Sequence, residues 1–243
     1  MSAPTAEDWA SNALLATLSK SDQERLMPHM MIADLKAHEA LQRAGDEVVD
    51  TWFPCGPAMA AFCVRLKDGA AVEVALVGRE GAIGGIVSNG SVPAFATAKV
   101  MYGGRFLRIK TAALEQAKLD SLTLRHWFSR YSDCLLAQVF QTAACNATHT
   151  NAQRTAKWLI AAMIRTRCSQ FALTHVQLAE MLGVGRSFVT RVISRLREAG
   201  TIETRRGVFI VRDEQVLRET ACDCTTTIED HFDVVLQGIY PRQ

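Results

Sequence analysis

The sequence predicts an α+β protein with an N-terminal antiparallel β-roll, one long helix and a C-terminal winged helix-turn-helix. Three observations predict it. Short apolar runs broken by Gly and Pro crowd residues 58–109. A stripe at three- and four-residue spacing runs over 121–149. Two short helical patterns then meet at a glycine ahead of a basic hairpin, within 173–211. The expected units are a sensor-like roll (1–120), a dimerisation helix (121–150) and the winged helix-turn-helix with its C-terminal tail (151–243).

After a short helical opening, roughly 7–30, the runs 58–66, 71–78, 96–104 and 105–109 read as strands. Turns at Lys67-Asp68-Gly69 and Ser88-Asn89-Gly90 separate them, which suits a small antiparallel barrel or roll. Helical pattern resumes near Thr111. Within 121–149, Phe128, Tyr131, Leu135, Gln138 and Thr142 follow the spacing of a coiled-coil seam. An ordinary helix packed on its own roll would show the same spacing. The seam of a parallel dimer is the favoured reading, because two-fold DNA readers place two recognition helices about 34 Å apart on a palindrome.

Thr174, with Gln177 three residues on, reads as a capping box. Leu178, Ala179 and Leu182 share a face, and Gly183 supplies the left-handed residue that ends the helix. A second helix from about Arg186 to Ala199 turns Val189, Val192, Ile193 and Leu196 inward. Ala179 allows the close helix crossing this geometry needs. The opposite face carries Arg186, Ser187, Thr190, Arg191, Ser194 and Arg195. Side chains at the start of such a helix reach base edges, so Arg186, Ser187 and Arg191 are expected to contact bases. Thr174, Thr190, Arg195 and the wing residues Arg205 and Arg206 are expected on the DNA backbone.

Charge is divided along the chain. The net charge is only +2, yet residues 150–212 hold eleven Lys and Arg against three Glu, while 1–149 and 213–243 are net negative. That is the distribution a nucleic-acid footprint requires. A hydrophobic content of 49% supports a sizeable core. No apolar run approaches the ~20 residues of a membrane span, and the N-terminus lacks a signal-peptide pattern. Seven scattered cysteines suit a reducing cytoplasm.

The order of parts resembles the Crp/Fnr family of bacterial transcription regulators over nearly the whole chain. LAEMLGVGRSFVTRVISRL with its wing carries the specific part of the resemblance. LVGREGAIGG (76–85) is similar to the glycine-rich turn of the family's cyclic-nucleotide-binding fold. QTAACNATHTNAQRTAKW (141–158) and Ala221-Cys222-Asp223-Cys224 resemble a subgroup without an assigned effector. The resemblance implies a homodimer that binds a palindrome in double-stranded DNA, contacts RNA polymerase and is switched by a small-molecule effector of unknown identity. It puts Arg186 and Arg191 on the two half-site arginines, with Ser187 in place of the usual glutamate. The effector pocket it implies comprises Gly78, Arg79, Gly84, Gly85, Ala94 and Phe95.

That pocket departs from the cyclic-AMP pattern. No glutamate follows Gly84-Gly85, and Ala94 and Phe95 stand where an Arg-Ser pair would hold the phosphate. A phosphate buried without a cationic partner is costly, so the sequence argues against cyclic AMP. The first cysteine is Cys55, which argues against an N-terminal iron–sulfur cluster, and nothing points to haem. No histidine lies between His38 and His126, against a cupin-type metal enzyme, and no catalytic triad order or P-loop occurs. A regulator rather than an enzyme is expected. One group stays open: Cys145, His149, Cys222 and Cys224 suit a tetrahedral metal site or a thiol redox switch if the two segments meet, and otherwise are ordinary buried or tail residues. A redox sensor and an interaction scaffold that no longer binds DNA remain the alternatives.

Overall fold

A computed structural model describes residues 3–67, 69–86 and 92–239. Asp68 and the expected Ser88-Asn89-Gly90 turn lie outside the described residues. The helical opening comprises three short helices: α1 (Ala6–Ala10), α2 (Ala13–Ala16) and α3 (Lys20–Leu26). Thr5, Asn12 and Ser19 each cap the next helix through a side-chain oxygen, so the chain restarts at every cap.

Seven strands follow, all paired antiparallel. They are β1 (Met30–Leu35), β2 (Ala40–Gln42), β3 (Asp50–Pro54), β4 (Met59–Arg65), β5 (Ala71–Val77), β6 (Thr97–Tyr102) and β7 (Gly104–Lys110). One sheet has the order β1-β7-β3 and the other β2-β6-β4-β5. Four of these strands coincide with the sequence-predicted runs. The first three escaped the sequence reading, two of them being short or weakly alternating. Phe106 of β7, Val100 of β6, Ala60 of β4 and Ile83 meet in one apolar cluster.

Helix α4 (Thr111–Asp120) leads to α5 (Leu122–Thr148), a 27-residue helix at the position expected. Thr150 opens α6 (Asn151–Thr166) with a capping box. Next come β8 (Gln170–Ala172), α7 (His175–Leu182), α8 (Arg186–Glu198), and the hairpin β9 (Ile202–Arg205) and β10 (Val208–Val211). Strand β8 adds a third strand to the wing, in the order β8-β10-β9.

The last stretch is more than a tail. Helix α9 (Glu214–Thr220) packs beside α6, and α10 (Cys224–Val235) returns along α5. Ile228 and Phe232 of α10 enter the core of the N-terminal half, where the Phe232 ring meets Tyr131 edge-on at 6.4 Å. The helix-turn-helix is docked on the roll as well. Leu178, Ala179 and Leu182 share a core with Met59, Cys63 and Leu76. Among the described residues, no helix is long and apolar enough to cross a membrane.

Candidate nucleic-acid interface

The helix-turn-helix forms where its local signals lie. Thr174 and Gln177 cap each other's backbone, and Gly183 ends α7 at φ 63°. A Cβ on Gly183 would stand 3.3 Å from Val72 of β5, so this turn is also where the head meets the roll. Val189, Ile193 and Leu196 are buried, which rolls the other side of α8 outward. Arg186, Ser187, Arg191 and Arg195 are exposed. Gly185 caps α8 without a side chain, leaving its first N–H groups to outside acceptors.

The Thr190 hydroxyl lies 3.1 Å from His175 Nδ1 and ties α8 to α7. His175 in turn stacks on Phe209 of the wing at 5.6 Å. Burial, and then Arg186 and Arg197, hold the His175 imidazole below its ordinary pKa. Phe188 was missed in the sequence. It is 47% exposed on the outward face, under the Arg191 guanidinium at 4.7 Å. A large aromatic inside a Ser, Thr and Arg face was the available signal.

The wing turns on Arg206 and Gly207, both with positive φ (44° and 79°), the conformation a two-residue hairpin demands. Arg206 is exposed. Arg205 pairs with Glu203, which also accepts from Arg212 at 2.6 Å, and the two guanidinium groups hold the Glu203 carboxyl below its usual range. A cleft of about 260 Å³ lies between the wing and the starts of α7 and α8, lined in part by Thr174, His175, Arg186, Arg206 and Phe209. The fold thus gathers Thr174, Arg186 and Arg206 around one concavity.

Each residue expected to line an effector pocket has neighbours of its own. Gly78 packs against α6, where a Cβ would meet the Arg165 Cβ at 2.6 Å. Arg79 borders an open cleft beside Arg165, Arg167 and Asp230, outside the roll. Gly84 and Gly85 have positive φ and abut Asp50 and Thr111, so they serve a tight crossing. Ala94 is buried, whereas Phe95 is 86% exposed.

The seam drawn on α5 also needs correction. Phe128 and Tyr131 are buried in the chain's own core, the Tyr131 hydroxyl donating to the Ala82 carbonyl at 2.9 Å. Gln138 is buried and donates to the Leu76 carbonyl at 3.0 Å. Leu135 packs against the roll, and Thr142 is half-buried. Phe128, Tyr131 and Gln138 are therefore buried within the monomer, with Leu135 at the edge of its core. The apolar residues α5 leaves outside are Leu122, Leu136, Val139 and Phe140, of which Phe140 is 64% exposed.

The two cysteine segments do meet. Cys145, Cys222 and Cys224 form a small buried cluster beside the half-buried His149. Cys145 Sγ lies 3.7 Å from Cys222 Sγ, and Cys224 Sγ lies 3.5 Å from His149 Nδ1. Burial raises the Cys145 thiol pKa, with Lys157 opposing, and burial raises that of Cys222 too.

Two helices crossing at a glycine turn, with a three-stranded wing behind them, define a winged helix-turn-helix head carried on a β-roll. Residues 153–220 match the Crp-like helix-turn-helix domain. Solved structures with the same overall fold include FixK2 from Bradyrhizobium japonicum, 16% identical with a TM-score of 0.66 over 79% of this chain and 98% of that one. A putative transcriptional regulator of the Crp/Fnr family from Eubacterium rectale is 12% identical, with a TM-score of 0.67 over 85% and 96%. The c-di-GMP responsive global regulator CLP from Xanthomonas campestris is 14% identical, with a TM-score of 0.64 over 79% and 99%. No curated protein matches the sequence. The chain carries a Crp-like helix-turn-helix domain, and its fold is that of the Crp/Fnr transcriptional regulators.

Proposed function

We propose that the protein is a homodimeric transcription regulator that binds a palindromic site in double-stranded DNA. The observation that carries this reading is the outward face of α8. Arg186, Ser187 and Arg191 stand exposed at the start of a helix within a Crp-like domain, with Arg206 of the wing alongside. Arg186 and Arg191 can each pair with guanine in the major groove, and Ser187 discriminates less. Thr174, Arg195 and Arg206 contact phosphates, with Arg205 and Thr190 in supporting places. The exposed stripe Leu136, Val139 and Phe140 supports dimerisation through α5, with working units of 1–120, 121–150 and 151–243. Contact with RNA polymerase, a cytoplasmic location and the lack of an enzymatic role follow from this reading. Ala94 and Phe95, which offer a phosphate neither a cation nor a hydroxyl, speak against cyclic AMP as its effector.

The test is selection of bound duplexes from a random DNA library, with wild type and an Arg186→Ala, Arg191→Ala double variant. Enrichment of a palindrome by wild type alone is the expected result. No enrichment with reductant, with oxidant or with added cell extract would instead favour an interaction scaffold.

A further inference from the structure

Around one tetrahedral Zn²⁺, with Zn–S about 2.3 Å and Zn–N about 2.0–2.1 Å, ligand atoms stand about 3.8 Å apart for two sulfurs and about 3.5 Å apart for sulfur and nitrogen. The contacts here are 3.7 Å between Cys145 Sγ and Cys222 Sγ, and 3.5 Å between Cys224 Sγ and His149 Nδ1. All four donor atoms lie within 4.8 Å of one another. Such a set encloses a single ion and leaves no room for a multi-iron cluster. Three sulfurs and an imidazole, with no carboxylate among them, select a soft or borderline ion over Mg²⁺ or Ca²⁺.

The surroundings are those of a closed site. Cys145, Cys222 and Cys224 are buried. Gln141 Nε2 donates to Cys224 Sγ at 3.2 Å, an outer-shell hydrogen bond of the kind that orients a thiolate ligand. Cys145 and His149 are one helical turn apart, and His149 is the residue at which α5 ends. Cys222 and Cys224 flank Asp223, the residue before α10. One ion would therefore join two segments 77 residues apart in the chain, at the turn from α5 into α6.

We propose that Cys145, His149, Cys222 and Cys224 bind one Zn²⁺ in a closed tetrahedral site that fastens the α5–α6 turn to the start of α10. Binding converts three thiols to thiolates and releases up to three protons, with no change of oxidation state. The site stands or falls independently of DNA binding, since its readout is the metal itself.

The experiment is elemental analysis of the untagged full chain, purified under reductant without chelator, followed by Co²⁺ titration of zinc-stripped protein. About one zinc per chain is expected, and Co²⁺ should develop the visible bands of a tetrahedral thiolate site that one equivalent of Zn²⁺ bleaches. Cys145→Ser, Cys222→Ser and Cys224→Ser should each lower zinc content to about one-tenth or less, while Cys168→Ser, elsewhere in the fold, keeps it. Wild-type protein without zinc that also takes up no Co²⁺ would overturn the proposal, whatever the variants do. A Cys145–Cys222 disulfide found by mass spectrometry in freshly purified wild type would overturn it in favour of a thiol switch.

Discussion

Glu73 looks, in the run AVEVALV, like the solvent-facing residue of an alternating strand. In the fold, Trp158 of α6 covers it and its indole N–H donates to Glu73 Oε2 at 2.8 Å. No local pattern could reveal this, because the two residues are 85 positions apart. Burial pushes the carboxyl up to about 7, against the opposing pull of the Trp158 hydrogen bond and of Lys157, Arg165 and Lys99. The folded pKa is thus above the unfolded value of 4.5. Folding carries no charge-burial cost below about pH 4.5, and the full cost above about pH 7. Stability accordingly falls as pH rises through that window, by up to about 3 kcal/mol. Glu73→Gln keeps an acceptor for Trp158 and removes the titration. Urea unfolding at pH 5 and pH 8 should show the variant gaining on wild type at the higher pH; a constant difference between the two proteins would refute the effect.

Helix α5 shows what spacing can and cannot say. Its position and length were legible, since Ser121 caps the start and apolar residues recur over 27 positions. Which stripe stays exposed was not. Phe128, Tyr131 and Leu135 match a coiled-coil seam, yet the roll and α10 cover that face, and periodicity is blind to the identity of the cover. The hidden contributor was α10, whose docking on α5 is a long-range event. The helix-turn-helix was legible almost to the residue because caps, a glycine turn and a small residue at the crossing are local devices. The exposed face of α5 yields its own prediction. Burying Leu136 and Phe140 against a second copy is worth about 1.5–3 kcal/mol per side chain when complete. A Leu136→Glu, Phe140→Glu variant should sediment as a monomer where wild type is a dimer. Its circular dichroism should be unchanged, because the inner face of α5 is untouched. A variant that stays dimeric would place the interface elsewhere.

Over the whole molecule, the excess of positive charge in 150–212 was visible in the sequence, but its division of labour was not. Arg154 is buried and donates to the Leu182 carbonyl, holding α6 to the end of α7. Arg165 is buried against Glu80 at 2.9 Å, joining α6 to the roll. Glu203 engages both Arg205 and Arg212. The charge free to meet phosphate is therefore concentrated in Arg186, Arg191, Arg195, Arg197 and Arg206, all exposed on α8 or the wing tip. Arg154 thus acts within the head, whereas Arg165 fixes the head on the roll, together with the Gln177–His38 contact at 3.1 Å. Salt separates these roles. Each neutralised phosphate contributes about −0.9 to the slope of log K against log salt concentration. Arg195→Ala and Arg206→Ala should each flatten that slope by about 0.9 per protomer and weaken binding evenly across sequences. Arg165→Ala should leave the slope unchanged while lowering stability, because it strips Glu80 of its buried partner. Fluorescence anisotropy over a salt series on the selected duplex, beside a urea melt of each variant, measures both quantities. If Arg165→Ala flattened the slope as Arg206→Ala does, the separation of docking charge from DNA-facing charge would fail.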